Sequence, residues 1–210
     1  TNLLVEQHNN ASIKAKLANL LTLVRKHLDM DVAFISEFIN DERVFKVVDN
    51  PSENQVVKVG NADPINETYC QQITDNKLSP IITNTKANPI TKAMPVTKKL
   101  GIGAYIGVPI NLSHGKLYGT FCCDKSHHDE SLNERDLSFL NIISEIATGL
   151  IEKSLDKSVS YNHTKSTIEQ IISDNDISIY FQPIFSLKNN KVAGFESLAR
   201  FFTTPYKTPD

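Results

Sequence analysis

Glu196 and Arg200 stand four residues apart in the stretch "YFQPIFSLKNNKVAGFESLARF", near the end of a 210-residue chain. A carboxylate is a ligand type for a divalent cation, and a guanidinium pairs with phosphodiester oxygens. The same two residues at this spacing also suit an ordinary surface ion pair. The stretch reads as two strands joined by a polar turn, the first carrying Gln182 and the second Glu196 and Arg200.

Other reactive side chains are scattered. Cys70, Cys122 and Cys123 are an odd number with no CxxC spacing, which favours packed small hydrophobes in a reducing, cytoplasmic setting over metal ligands or reactive thiols. Adjacent residues on a strand point to opposite faces, so Cys122 and Cys123 do not pair with one another. "HHDE" (His127 to Glu130) offers metal-capable groups but precedes a capped helix, where a solvated loop fits better. Tyr69 and Tyr105 are candidates to line a pocket between sheet and helices, or to be core residues with bonded hydroxyls. Gly101, Gly103 and Gly107 approach a dinucleotide fingerprint, but they lead into a strand and not from a strand into a helix. Bends or close backbone approach explain them better.

Composition narrows the class. A hydrophobic fraction of 40% with 22% charged residues is that of a folded chain. The formal net charge of −2 supplies no basic surface for nucleic acid. No apolar run approaches the roughly 18–20 residues of a membrane span, and the opening residues "TNLLVEQHNN" carry no charged-then-apolar pattern of a signal peptide.

The elements that must position these residues follow from periodicity. Ile13, Leu17, Leu20, Leu21, Val24 and Leu28 predict an amphipathic helix over 12–28. "DVAFISEFI" and "RVFKVV" predict an antiparallel hairpin turning at "NDE". "NETYCQQITDNKL" predicts a short helix capped by Asn66, "PIITNT" a strand, and "PITKAMPVTKKLG" a helix interrupted by Pro95 and closed by Gly101. Two further strands, "GAYIGVPINL" and "KLYGTFCCDK", turn at His114-Gly115. A long helix starts after Ser131 or Asn133, thins into a helical linker, and a separate short helix, "TKSTIEQIISDNDI", precedes the final strand pair. The fold class is α+β, an antiparallel sheet flanked by helices.

From Asn66 to Thr148, the pairing of "YIGVPI" with "LYGTFCCDK" ahead of an "ERDLSFL" helix resembles a GAF domain. The resemblance implies a sensory module. The signatures of its ligand classes are missing: there is no NKFDE motif for cyclic nucleotides and no Cys beside a His for a bilin, so the ligand stays open.

The final stretch resembles the opening of an EAL domain, the cyclic-di-GMP phosphodiesterase family with a TIM-like barrel. That resemblance implies that Glu196 is a ligand for Mg²⁺ or Mn²⁺, that Arg200 contacts a phosphate of the dinucleotide, and that Gln182 faces it. Ser197 departs from the family's alanine, small for small. A whole barrel takes roughly 250 residues. The chain therefore reads as the N-terminal piece of a longer protein and is expected to be inactive alone, with no complete catalytic set.

The expected division is a GAF domain over 1–153, a helical linker over 154–175 and the start of an EAL domain over 176–210. Two functions compete: regulation of an active phosphodiesterase, or a binding module whose degenerate EAL domain is a cyclic-di-GMP receptor. Surplus apolar positions on the helices at both ends of the GAF domain predict a homodimer.

Overall fold

The computed structural model describes residues 2–52 and 57–201, and the last residues of the EAL-like stretch, 202–210, lie outside the described residues. Helix α1 (Asn2–His27) leads into β1 (Val32–Ile39) and β2 (Glu42–Asp49). These are followed by β3 (Ala62–Pro64), α2 (Tyr69–Thr74), β4 (Ile81–Ile82), α3 (Pro89–Ala93) and α4 (Pro95–Leu100). Then come β5 (Ala104–Asn111), β6 (Leu117–Lys125), α5 (Glu134–Ser173), β7 (Ile177–Ser186) and β8 (Lys191–Phe201). The chain divides into two compact units at Ser154/Leu155.

The first unit is built on a six-stranded antiparallel sheet in the order β3-β2-β1-β6-β5-β4. The two-residue turn of the first hairpin uses Asn40 and Asp41, both at positive φ (49° and 64°), as a tight hairpin requires. Alternation sorts the side chains into two layers. Ala33, Ile35, Ile106, Val108, Phe121 and Cys123 face α1 and α5. Val32, Phe34, Tyr105 and Cys122 face α2 and α4. Cys122 and Cys123 thus lie on opposite sides of β6, as adjacent strand residues must.

One irregularity sets the site. Ile35 pairs with Val47 and Ser36 with Phe45, so Lys46 is an extra residue bulged out of β2. A bulge resets which face the following side chains take. Val47 packs on the α1/α5 side, while Phe45 packs on the other, and Arg43 shares the face of Phe45.

Several boundaries differ from expectation. Helix α1 starts at Asn2, because "QHNN" interrupts the apolar stripe but holds no Gly or Pro to end a helix. The cap of α2 is Thr68, whose hydroxyl accepts from the Gln71 N–H at 3.3 Å, whereas Asn66 sits inside a preceding 3-10 turn (Ile65–Glu67). The linker and the separate short helix before the strand pair are one continuous helix with α5, since no Gly or Pro falls between Ile151 and Ser173. Asn133 caps α5: its Oδ1 accepts from the Arg135 N–H, and Asp136 accepts from the Asn133 N–H. The three-residue β3 carries no sequence period and was not foreseen. Among the described residues no helix is long and apolar enough to cross a membrane.

The second unit contains the β7–β8 hairpin, paired antiparallel. Its apolar residues Ile179, Phe181, Phe185 and Phe195 are exposed.

Candidate functional site

The layer between the sheet and α2/α4 buries an unusual set of polar groups. Arg43 is only 2% exposed. Its guanidinium lies 4.4 Å from the ring centre of Phe45 and 5.4 Å from that of Phe34. Its Nη2 donates to Asp63 Oδ2 at 2.5 Å across the β2–β3 register pair, and its Nη1 donates to Cys70 Sγ at 3.7 Å. Lys99 reaches the other oxygen of Asp63 at 2.6 Å. Burial opposes the guanidinium charge, but Cys70 and Asp63 together hold its proton more tightly than usual. Burial also works against the Asp63 charge, and Lys99 and Arg43 overcome it, keeping that carboxyl below its ordinary value.

Cys70 is the centre of a second set of contacts. Its sulfur is 3.4 Å from the Tyr105 hydroxyl and 3.8 Å from Cys122 Sγ. Burial pushes the thiol up, while hydrogen bonding with Cys122 and the Arg43 charge pull it down further, so Cys70 is well below the ordinary thiol value. Burial and the neighbouring Cys70 push Cys122 well above it. The two sulfurs are thus shifted in opposite directions, Cys70 towards acidity and Cys122 away from it. Gly107 makes the space: a Cβ there would lie 2.9 Å from the Tyr105 hydroxyl and 3.0 Å from Cys122 Sγ. Of its neighbours in the glycine series, Gly101 ends α4 at φ 68°, and a Cβ on Gly103 would collide with the His127 backbone. Bends and close approach are thus what these glycines serve.

Tyr69 and Tyr105 pack edge to face, ring centres 5.1 Å apart, both almost wholly buried. The Tyr69 hydroxyl is 2.5 Å from Thr97 Oγ1, and Thr97 donates in turn to the Thr91 carbonyl. The Thr91 hydroxyl donates to the Thr85 carbonyl and the Thr85 hydroxyl to that of Ile102, a buried staircase of hydroxyls. Burial raises the Tyr69 phenol to about 12, so it stays a donor at neutral pH. Beside the staircase opens a cavity of about 600 Å³ lined by Lys86, Lys92, Thr97, Lys98, Gly101 and Ile102, neither tyrosine among them. Its three ammonium groups suit an anionic group.

Among the described residues two buried polar atoms have no partner: Arg43 Nε and Asp124 Oδ2. Asp124 follows Cys123 on β6 and faces the same layer as Cys122. Burial raises its carboxyl to about 7, with Arg43 opposing and Asp31 and Cys70 adding to the rise.

The residues singled out in the final hairpin gather differently. Gln182 and Glu196 are register partners, and Arg200 follows four residues on, so the three lie on one face of β7–β8. Arg200 donates to the Ala199 carbonyl at 2.8 Å, and no ion pair joins it to Glu196 among the described residues. His127 to Glu130 form an exposed loop in which Asp129 bonds Lys125 and Ser131. Among the described residues no three His, Cys, Asp or Glu side chains gather to hold a metal ion.

Arg43, Asp63, Asp124 and the Cys70–Cys122 contact escaped sequence reasoning. A signal existed for two of them. Arg43 shares the parity of Phe45, and Asp124 that of Cys122, so charged residues occupy apolar-phase positions of buried strands.

The family model of the GAF domain matches residues 12–150. The chain belongs to the GAF domain family. Solved structures bear out the fold. The GAF domain of the Acinetobacter phosphoenolpyruvate-protein phosphotransferase is 15% identical, covering 74% of this chain and 95% of that one, with a TM-score of 0.55. The blue-light absorbing form of the PixJ GAF domain of Thermosynechococcus elongatus is 14% identical over 74% and 95%, TM-score 0.54. A free methionine-R-sulfoxide reductase from Neisseria meningitidis, solved with its substrate, is 18% identical over 72% and 89%, TM-score 0.55. A comparison with curated proteins gave no match. GAF domains serve as sensory modules in signalling proteins, and the GAF region of this chain is the part the comparisons cover.

Proposed function

We propose that this chain is the regulatory N-terminal part of a signalling protein whose catalytic region hydrolyses cyclic-di-GMP. The observation that carries the reading is the single face of β7–β8 on which Gln182, Glu196 and Arg200 lie. It presents a carboxylate for a cation and a guanidinium for a phosphodiester, beside an amide able to bond the ligand. The apolar residues exposed on this hairpin are those a barrel interior would cover.

One carboxylate does not hold a Mg²⁺ or Mn²⁺ ion, which takes about six oxygen ligands. With no acidic cluster around Glu196 among the described residues, this chain alone does not fit the metal. The 210-residue chain should give no turnover of cyclic-di-GMP at any Mg²⁺ or Mn²⁺ concentration, measured by chromatography of the linear dinucleotide. In the full-length protein, Glu196→Gln should lower kcat by about a hundredfold or more. Turnover by the 210-residue chain, or an unaffected Glu196→Gln enzyme, overturns the reading.

The regulatory route we assign is a homodimer on α1 and α5. Both helices cover one sheet face, with His27 and Phe139 ring centres 4.4 Å apart, and still leave Leu23, Ile142 and Ile146 more than half exposed. Leu20 and Leu150, by contrast, pack partly on the core. Sedimentation at tens of micromolar should give a dimer for the wild type and a monomer for Leu23→Glu with Ile142→Glu. An unchanged mass for the double variant sinks the helix-paired dimer.

A further inference from the structure

Cys70 and Cys122 come from elements 52 residues apart, yet their sulfurs lie in contact at 3.8 Å, wholly buried in one layer. Cys123, the third thiol, is equally buried but belongs to the opposite layer with α1 and α5. We infer that Cys70 and Cys122 are a peroxide-oxidised dithiol pair, closing to a reversible disulfide that makes this layer of the domain a thiol-based sensor.

The geometry gives each sulfur a different job. Cys70 has the Arg43 guanidinium at 3.7 Å and the Tyr105 hydroxyl at 3.4 Å. A cation and a donor beside a sulfur stabilise its thiolate, the nucleophilic form. Its depressed thiol value agrees with that placement, and Cys122, whose sulfur touches that of Cys70, is the resolving thiol. Bond formation brings the sulfurs from contact to about 2.05 Å. The missing Cβ of Gly107, which would sit 3.0 Å from Cys122 Sγ, leaves that sulfur room to turn. Cys70 sits on α2, a helix of six residues.

The chemistry balances with hydrogen peroxide as oxidant. The Cys70 thiolate attacks one peroxide oxygen, the O–O bond breaks, and hydroxide leaves to take the proton of Cys122 as water. Cys70 is then a sulfenic acid. The Cys122 thiolate attacks its sulfur, the S–O bond breaks, and the departing hydroxide takes the proton that Cys70 had released. Two thiols lose two electrons, and one peroxide becomes two waters. A dithiol returns the disulfide to its reduced state by exchange.

This assignment stands apart from the phosphodiesterase reading, since it concerns only residues of the GAF domain. The test treats the folded 210-residue chain with hydrogen peroxide, alkylates the remaining thiols and identifies linked peptides by mass spectrometry without reduction. The expected result is a Cys70–Cys122 linkage and loss of two of the three thiols, with Cys123 left reduced and dithiothreitol restoring both. Cys70→Ser and Cys122→Ser should each abolish the linkage, while Cys123→Ser keeps it. Circular dichroism before and after confirms that oxidation occurs in the folded chain. Failure to form the linkage, oxidation of Cys123 at the same rate, or reaction only in urea each overturns the assignment.

Discussion

Asp124→Asn should melt on the order of 10 °C above the wild type at pH 8 and close to it at pH 4. Asp124 is buried with one carboxylate oxygen unpartnered, and burial carries its carboxyl from the ordinary 3.8 to about 7. The groups acting on it are Arg43, which favours the charge, and Asp31 and Cys70, which oppose it. A carboxyl whose folded value is raised binds its proton more tightly when folded. Its contribution is therefore fully present below about pH 4 and is lost as pH rises to about 7. At about 1.4 kcal/mol per tenfold change in proton affinity, the loss is on the order of 4 kcal/mol. For a chain of this size that corresponds to the shift in Tm given above. Asparagine keeps the shape and stays neutral, so the variant should lack the decline between pH 4 and 7. Parallel melting curves for the two proteins across that range would show that Asp124 does not titrate in this way.

Asp63→Ala should be the most damaging single change in the layer. Arg43 and Asp63 face one another across the β2–β3 ladder, and both are buried. Removing one partner of a buried ion pair leaves the other charge poorly compensated, here with only the Cys70 sulfur beside the guanidinium, at a cost of about 3–5 kcal/mol. Lys99, more than half exposed, gives a control: Lys99→Ala should cost about 0–1 kcal/mol. Replacing both charges, as Arg43→Leu with Asp63→Leu, should recover much of the loss, because no buried charge then remains. Urea unfolding monitored by circular dichroism measures all three. Equal costs for Asp63→Ala and Lys99→Ala would show that the guanidinium finds its compensation elsewhere.

The sequence made the scaffold legible because periodicity is local. The apolar run of "DVAFISEFI" and the glycine after α4 specify elements without reference to distant residues. The buried cluster is not local in this sense. Arg43 turns to the α2 layer because Lys46 bulges out of a register that only pairing with β1 defines. Asp63 meets it on a strand of three residues, too short for any period to show. Cys70 and Cys122 meet because α2 packs across the sheet, a juxtaposition absent from their spacing. Where local pattern did mislead, as at the linker, the missing cue was the absence of a breaker. A polar stretch without Gly or Pro continues a helix that packing has already nucleated.

The division of Cys122 and Cys123 between the two layers equips the domain with paired reporters of its own motion. A thiol reagent reaches a buried sulfur only when its surroundings open, so the labelling rate measures the free energy of that opening. Labelling at Cys122 follows departures of α2 and α4 from the sheet, and labelling at Cys123 follows loosening of α1 and α5. Because the two sulfurs are neighbours on one strand, global unfolding exposes both together. Any excess of one rate over the other therefore belongs to a single layer. A bound effector that tightened only the α2 side would slow Cys122 and leave Cys123 at its former pace, locating the effector without a structure of the complex.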